Sequence, residues 1–205
     1  MPEAVLGTTA TSVLDAARKR LLQDGYAAMS TRGVASEAGV PLSQLHYHFG
    51  SKGGLMLALL EYENQRRLSR QSAMYGQDLP LWQRYEQACD FLDDDLESGY
   101  VRVLQELMAA GWSTPELASA ARDLLRGWYV LLTDVAREAA QRFGGLGPFT
   151  PDELATLIGA SFLGAESLLL LGFDRRDLPV RSALRRVGIV IRTFEEATEA
   201  AGGPP

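Results

Sequence analysis

Residues 30–52 read STRGVASEAGVPLSQLHYHFGSK, and this stretch decides the fold of the N-terminal part of the chain. Its apolar residues predict two short helices, with Val34 buried in the first and Leu45 in the second. Thr31 is the predicted N-cap of the first helix. Gly39 supplies the left-handed backbone conformation that a sharp turn between helices commonly needs. Two short helices joined in this way form a helix-turn-helix.

The second helix is unusual in what it exposes. Its outward face carries hydrogen-bonding and aromatic side chains with hardly an aliphatic one among them: Ser43, Gln44, His46, Tyr47 and His48. A DNA groove offers partners for such a face. Two packed core helices without a ligand would explain the buried positions equally well, but not these exposed ones. The pattern therefore favours DNA binding.

These residues resemble the N-terminal motif of the tetracycline-repressor (TetR) family of bacterial transcription regulators. The residues in register with that motif are Thr31, Val34, Ala35, Ala38, Gly39, Val40, Leu45, His48, Phe49, Ser51, Lys52 and Leu55. The chain departs from the motif at Pro41, Gln44 and His46, and at the Gly53-Gly54 pair. The first three departures alter the DNA-facing side, so they bear on the operator sequence rather than on the fold. The resemblance covers about the first quarter of the chain.

Individual roles follow from the side chains of this motif. We expect Ser43 and Gln44 to contact base edges, since Gln can bind adenine through two hydrogen bonds. Four further residues are expected to position the phosphate backbone: Thr31, Tyr47, His48 and Lys52. By resemblance, Arg32 reaches either a guanine or a phosphate, and the role of His46 stays open. The alternative for the two histidines is that they are surface residues without a partner.

The charge distribution limits how DNA would be held. The chain carries a net charge of −6, but residues 1–70 hold eight Lys and Arg against six Asp and Glu. That segment is therefore +2 and the remainder −8. Because +2 is a small charge for a DNA-binding segment, neutral contacts, helix N-termini and a two-fold dimer would supply much of the affinity. We expect the binding to be markedly salt-sensitive.

The rest of the chain predicts helices only, and the fold class is all-α. The expected helices lie at about 11–23, 52–74, 81–97, 99–112, 115–143, 151–172 and 180–199, in addition to the two of the motif. We expect a three-helix DNA-binding domain in residues 1–55 and a larger helical effector-binding and dimerisation domain in 56–205. The acidic run Asp93-Asp94-Asp95 is expected on a solvated face.

The last two helices predict contact with a second copy of the chain. Residues 151–172 and 180–199 carry apolar side chains beyond a single stripe, so each has a further surface to bury. The TetR resemblance likewise implies a four-helix dimer interface from the last two helices. A homodimer would place two recognition helices on the half-sites of a palindromic operator in double-stranded DNA.

The resemblance also implies a small-molecule effector held between the central helices. Candidate lining residues in that region are aromatic, sulfur-containing or acidic: Tyr85, Cys89, Met108, Trp112, Trp128, Tyr129 and Glu166. Aromatic residues at helical spacing are, however, more often core than pocket. Glu166 would pair with an Arg such as Arg122 or Arg126, contact a cationic ligand, or face solvent.

Other classes of protein fit the sequence less well. Both histidines lie in the helix-turn-helix, and there is no Gly-rich phosphate loop or nucleophile elbow, so we expect no enzyme, cofactor or metal site. The lone Cys89 indicates a reducing compartment. The apolar stretch at 168–171 is too short to cross a membrane, which favours the cytoplasm. We expect a repressor released by a hydrophobic effector; the alternative is a helical ligand-binding or scaffold protein without DNA binding.

Overall fold

A computed structural model describes residues 7–173 and 176–200, with the backbone alone for Arg66. Nine helices occur in these residues, and no strand: α1 Thr8–Ala28, α2 Thr31–Ala38, α3 Leu42–Phe49, α4 Lys52–Tyr75, α5 Leu81–Glu97, α6 Tyr100–Gly111, α7 Pro115–Phe143, α8 Pro151–Leu170 and α9 Val180–Ala200. The predicted all-α class is therefore confirmed. The chain divides into two compact units, one formed by Met1–Arg66 with Arg102–Leu124 and the other by Arg67–Val101 with Leu125–Pro205.

The first unit contains the three N-terminal helices, which pack against one another. Apolar residues spaced three and four apart on α1 are buried, including Val13, Leu14 and Leu21. The helix continues beyond the predicted end at residue 23, but Gly25 has a φ of 74°, which kinks it there. Leu45 of α3 is fully buried, and α3 packs on α1 and α2. The burial of Leu45 fixes which side of α3 faces solvent.

The cap of α2 differs from the sequence prediction. Ser30, not Thr31, is the N-cap, because Ser30 has an extended backbone and its hydroxyl accepts a hydrogen bond from the Gly33 N–H at 3.1 Å. Thr31 is the first residue of the helix itself. At the other end, Gly39 adopts the predicted left-handed conformation with φ 67° and ψ 28°. The turn between α2 and α3 is therefore as the sequence indicates.

The second unit has its own apolar core. It is built from α5, α8, α9 and the start of α6 around a set of buried residues: Tyr85, Cys89, Leu92, Val101, Phe162, Ala165, Val180 and Leu184. Ion pairs border the packing of α5 on α9, since Arg185 lies 2.8 Å from Asp90 and 2.9 Å from Asp93. Arg181 also reaches Asp93, at 2.7 Å.

The acidic run on α5 is only partly solvated, which corrects the sequence-based expectation. Asp95 is 6% exposed and accepts hydrogen bonds from Arg70, at 2.8 Å, and from Arg67. Asp95 follows the buried Leu92 by three residues, so the helical repeat places both on the inner face of α5. Asp94 is exposed as expected.

Candidate nucleic-acid interface and ligand cavity

The junction between α3 and α4 sets the direction of α3. Gly50 ends α3 with a φ of 71°, and Ser51 then caps α4 by accepting a hydrogen bond from the Gly54 N–H at 3.1 Å. A side chain at Gly54 would overlap the carbonyl oxygen of Phe49, so the two helices meet backbone to backbone. In the sequence the Gly53-Gly54 pair is a departure from the motif, and the sequence alone does not explain it. The structure explains Gly54 by this close approach.

The outer face of α3 is exposed where the sequence predicts it. Ser43, Gln44, His46 and His48 are all exposed, and the Tyr47 side chain is 86% exposed. The rings of Tyr47 and His48 meet edge to face with centroids 5.3 Å apart. Amide, hydroxyl and imidazole groups on one exposed helix can hydrogen-bond to base edges and phosphates.

His46 has a second role that the sequence did not indicate. Its Nδ1 lies 2.7 Å from the carbonyl oxygen of Gly50. Because a carbonyl oxygen can only accept, Nδ1 carries the hydrogen and donates it. This bond ties the last turn of α3 to the residue that ends it. His46 therefore stabilises the end of α3 through Nδ1. Its side chain is nevertheless exposed, so this bond leaves its other ring nitrogen, Nε2, unused.

The Lys52 side chain makes contacts within the protein, which the predicted phosphate contact does not include. Its ammonium group donates to the carbonyl oxygens of Tyr26 at 2.5 Å and of Ala27 at 3.4 Å, and it sits 4.4 Å from the centre of the Tyr26 ring. Partial burial lowers the pKa of Lys52. In this structure Lys52 ties the start of α4 to the C-terminal end of α1.

The remaining predicted DNA contacts lie at the start of α2. Thr31 is half-buried and Arg32 is exposed. The C-terminal half of α2 is held to α1 by an ion pair between Lys19 and Glu37, and Lys19 lowers the pKa of Glu37 by its hydrogen bond. Taken together, the eight residues predicted to contact DNA lie on α2, on α3 and at the first residue of α4.

The second compact unit contains a cavity of about 710 Å³ that is partly open to solvent. Its walls come from α7, α8 and α9, from the start of α5, and from the loop at 144–149. Most of the lining side chains are apolar; Leu132, Ile158 and Ile191 are examples from three different helices. This volume is in the range of pockets that hold small organic ligands.

Few of the predicted ligand-binding residues line this cavity. Tyr85 does, and Cys89 instead lies in the neighbouring core. Trp128, Tyr129 and Glu166 are half-buried in the same unit without lining the cavity. Met108 and Trp112 belong to the other unit, and Trp112 is 88% exposed.

Sequence reasoning missed most of the real lining. Arg84, Phe143 and Phe194 all contribute to it, together with the 144–149 loop. The Gly-rich loop was visible in the sequence as a break between helices, but nothing local indicated a cavity beneath it. Val187 and Ile191 lie on the inner apolar stripe of α9 that the sequence indicates, but the sequence did not show that they line a cavity.

One buried charged residue, Arg84, lines the cavity, and further ion pairs lie next to it. Arg84 is 2% exposed and donates to the Glu138 carboxylate at 2.9 and 2.5 Å and to the Tyr75 carbonyl oxygen at 2.7 Å. The hydrogen bond from Arg84 lowers the pKa of Glu138. Arg142 also reaches Glu138, at 2.6 Å, and lies 3.6 Å from Glu195.

Cys89 is not placed to act as a reactive thiol. Burial raises the pKa of its thiol to about 12, so the nucleophilic thiolate is scarce near neutral pH. Among the residues described, no group of His, Cys, Asp and Glu is arranged to hold a metal ion.

An apolar surface remains exposed on α8, on α9 and on the residues after α8. Its large side chains are Leu157, Leu170, Leu171, Phe173, Leu178, Ile189, Val190 and Phe194. Val190 and Phe194 also belong to the cavity lining. Exposed apolar groups gathered on two neighbouring helices are typical of a surface that another molecule covers.

The same composition makes α8 long and apolar enough to cross a membrane, by length and composition alone. The sequence-based judgement considered only residues 168–171 and overlooked the whole helix. One such helix is weak support for a membrane protein, because helices of soluble proteins pass the same test.

Comparisons with known proteins agree with this geometry. Residues 13–59 match the family described as "Bacterial regulatory proteins, tetR family". The HTH-type transcriptional regulator UidR of Escherichia coli K12 is 21% identical over 179 residues, covering 83% of this chain and 84% of UidR. FadR of Bacillus subtilis, solved in complex with stearoyl-CoA, matches with a TM-score of 0.72 at 15% identity, covering 88% of this chain and 96% of FadR. GusR of Salmonella enterica matches with a TM-score of 0.72 at 18% identity, covering 92% and 98%.

The helix-turn-helix, the exposed polar face of α3 and the all-helical fold together define a DNA-binding transcription regulator. Such regulators are not enzymes. The chain resembles the TetR family of bacterial transcription regulators, which matches residues 13–59, and it is similar to UidR over most of its length. Members of this family are soluble proteins that bind DNA, dimerise and respond to small-molecule effectors.

Proposed function

We propose that this regulator is a cytoplasmic homodimeric repressor that binds a palindromic operator and leaves it when a small hydrophobic effector fills the cavity. The exposed face of α3 is the observation that carries the DNA-binding part. Five consecutive or near-consecutive polar and aromatic side chains face solvent on a helix that buried Leu45 holds in place. Residues 1–55 would form the DNA-binding part, and 56–205 the effector-binding and dimerisation part.

We assign base recognition to Ser43 and Gln44, and phosphate contacts to Thr31, Tyr47 and His48. Arg32 would contact a base or a phosphate, and His46 would add a contact while supporting α3. Lys52 would reach a phosphate only by leaving the carbonyl groups it now binds. Positive charge is sparse here, so two copies binding together would supply much of the affinity.

The dimer would form through residues 151–172 and 180–199. The exposed apolar side chains of α8 and α9 support this assignment, because burying them against a second copy removes them from water. The same burial would account for the apolar character of α8 without a membrane.

The effector would occupy the cavity of the second unit. Its apolar lining and its volume of about 710 Å³ support a small hydrophobic molecule. Of the residues that the sequence predicted for this role, only Tyr85 is supported by the lining. FadR of Bacillus subtilis was solved with stearoyl-CoA, which shows that a protein of this fold takes an acyl compound.

Selection of bound sequences from a random pool of double-stranded DNA tests the proposal. The full-length protein should enrich a palindrome, at low and at physiological salt. Gln44→Ala should then relax the preference at one position of each half-site, whereas Lys52→Ala should weaken all sequences alike. A selection that enriches no sequence at either salt would contradict the proposal and favour a helical ligand-binding protein.

A further inference from the structure

The polar side chains that line the cavity are few, and three of the four lie close together in the chain. Tyr75, Arg84, Tyr85 and Thr198 provide side-chain polar groups among the lining residues, and the other large side chains are apolar. Arg84 and Tyr85 are adjacent residues of α5. They are 2% and 8% exposed, so water reaches neither side chain to any extent.

Two of these buried atoms have no hydrogen-bond partner. Within the part of the chain that the structure describes, neither Arg84 Nε nor Tyr85 Oη is hydrogen-bonded. Burial raises the pKa of Tyr85 well above its ordinary value, so its hydroxyl keeps its hydrogen. Buried donors without partners are uncommon and costly. Arg84 and Tyr85 both line the cavity, so its wall contains two buried donors without a partner.

The charges around Arg84 already balance. Glu138 accepts both terminal nitrogens of Arg84, at 2.9 and 2.5 Å, and also pairs with Arg142. Arg142 lies near Glu195 as well. Glu195 in turn accepts the backbone N–H groups of Leu81 at 2.8 Å and Trp82 at 3.0 Å. Two arginines thus face two glutamates.

A charged ligand would disturb this balance. A carboxylate would compete with Glu138 for Arg84, and a cation would find both carboxylates already paired. In an apolar cavity an uncompensated charge is far more costly than an uncharged polar group. An uncharged carbonyl or ester oxygen could instead accept from the free donors without displacing an ion pair.

We propose that the effector is an uncharged, largely apolar molecule whose hydrogen-bond acceptor binds the unpaired Tyr85 hydroxyl beside Arg84. This inference rests on the proposed effector role of the cavity and specifies the chemical class of its occupant. The apolar part of the molecule lies against α7, α8 and α9.

Four probes of equal chain length separate the possible classes: methyl decanoate, decanoate, decyltrimethylammonium and decane. Their dissociation constants would be measured with the full-length dimer at pH 7 by competition against a fluorescent apolar dye. Methyl decanoate should bind tightest, with decane and both charged probes each at least about 5-fold weaker, as expected for one hydrogen bond. Tighter binding of either charged probe, or no binding of any probe, would overturn the proposal.

The variant Tyr85→Phe tests the contact itself. It should weaken methyl decanoate by about 3- to 10-fold and leave decane unchanged, because only the ester uses the hydroxyl. Tyr62→Phe, on α4 and outside the cavity lining, is the matched control and should change neither. An equal loss for ester and decane in Tyr85→Phe would mean that the hydroxyl only supports packing, and would overturn the assigned contact.

Release from DNA is measured separately on the selected operator, so that the two proposals fail independently. Preference for the ester without release from DNA would leave the ligand class in place and contradict the effector role. Release caused by decanoate or decyltrimethylammonium, with the ester inactive, would support the effector role and overturn the uncharged class.

Discussion

Gly54 shows how one residue can fix the recognition helix. The carbonyl oxygen of Phe49, the last residue of α3, lies so close to Gly54 that any side chain there would overlap it. Gly53 is its neighbour in the first turn of α4. A Cβ atom added at Gly53 would meet only the Ser51 hydroxyl oxygen, at 3.6 Å. The two glycines are adjacent in sequence, yet only one of them is required by packing.

Gly54→Ala should therefore destabilise the protein by about 1–3 kcal/mol and weaken operator binding, because the α3–α4 junction must open to admit the methyl group. Urea unfolding of the full chain measures the first effect, and a DNA titration the second. Gly53→Ala is the matched control and should be neutral or slightly stabilising, since alanine favours a helix more than glycine does. Equal effects of the two substitutions would show that the overlap is relieved at no cost.

Lys52 is the residue at which sequence and structure suggest different roles. If Lys52 binds a phosphate, Lys52→Met should weaken operator binding and reduce the slope of log affinity against log salt by about 1. If it acts only by holding Tyr26 and Ala27, binding should weaken with the slope unchanged. We expect the unchanged slope, because the ammonium is already engaged. The slope is measured from operator titrations between low and physiological salt.

At the scale of helices, the ion pair of Arg84 and Glu138 joins α5 to α7 inside the second unit. Helix ends such as those of α5 and α7 followed from Pro and Gly in the sequence, since these residues act locally. The burial of Asp95 and the pairing of Arg84 did not, because their partners lie on other helices, 25 and 54 residues away. The cavity was not predicted for the same reason, because its walls come from separate helices and one loop that are far apart in the sequence.

The Glu138 ion pair should make stability depend on acid pH. A carboxyl group whose pKa is lower in the folded state adds stability above its unfolded pKa, here about 4.5. That contribution is lost as the pH falls through the lowered folded value. The free energy of unfolding should thus be steady from pH 7 to about 5 and decline below 4.5.

Glu138→Gln isolates this contribution from that of other carboxyl groups. The variant should be less stable than the wild type at pH 7, and its stability should decline less steeply between pH 4.5 and 3. Urea unfolding at stepped pH gives both curves. Parallel curves for the two proteins would place the acid sensitivity elsewhere in the chain.

For the whole molecule, DNA recognition and pairing of two copies are expected to depend on each other. Ile189 is exposed on α9 and does not line the cavity, so a substitution there probes the proposed interface alone. Ile189→Glu places two charges in an apolar interface and should raise the dimer dissociation constant by roughly 30- to 1,000-fold (about 2–4 kcal/mol). Sedimentation velocity measures the change, and operator affinity should fall with it.

Val130→Glu is the matched control, because Val130 is a similarly exposed apolar residue on a different helix, α7. It should leave both the sedimentation coefficient and operator binding as in the wild type. A dimer that survives Ile189→Glu but dissociates with Val130→Glu would move the interface to α7.

Val190 and Phe194 lie on the exposed apolar surface of α9 and also line the cavity. If a second copy covers that surface, one pair of side chains faces both the effector and the partner subunit. Thermodynamic reciprocity then applies: a ligand that changes the association constant of the dimer by some factor must have its own affinity changed by the same factor. Dilution of the protein would alter how tightly each subunit holds its ligand, and the cellular concentration of the regulator would become part of its sensitivity.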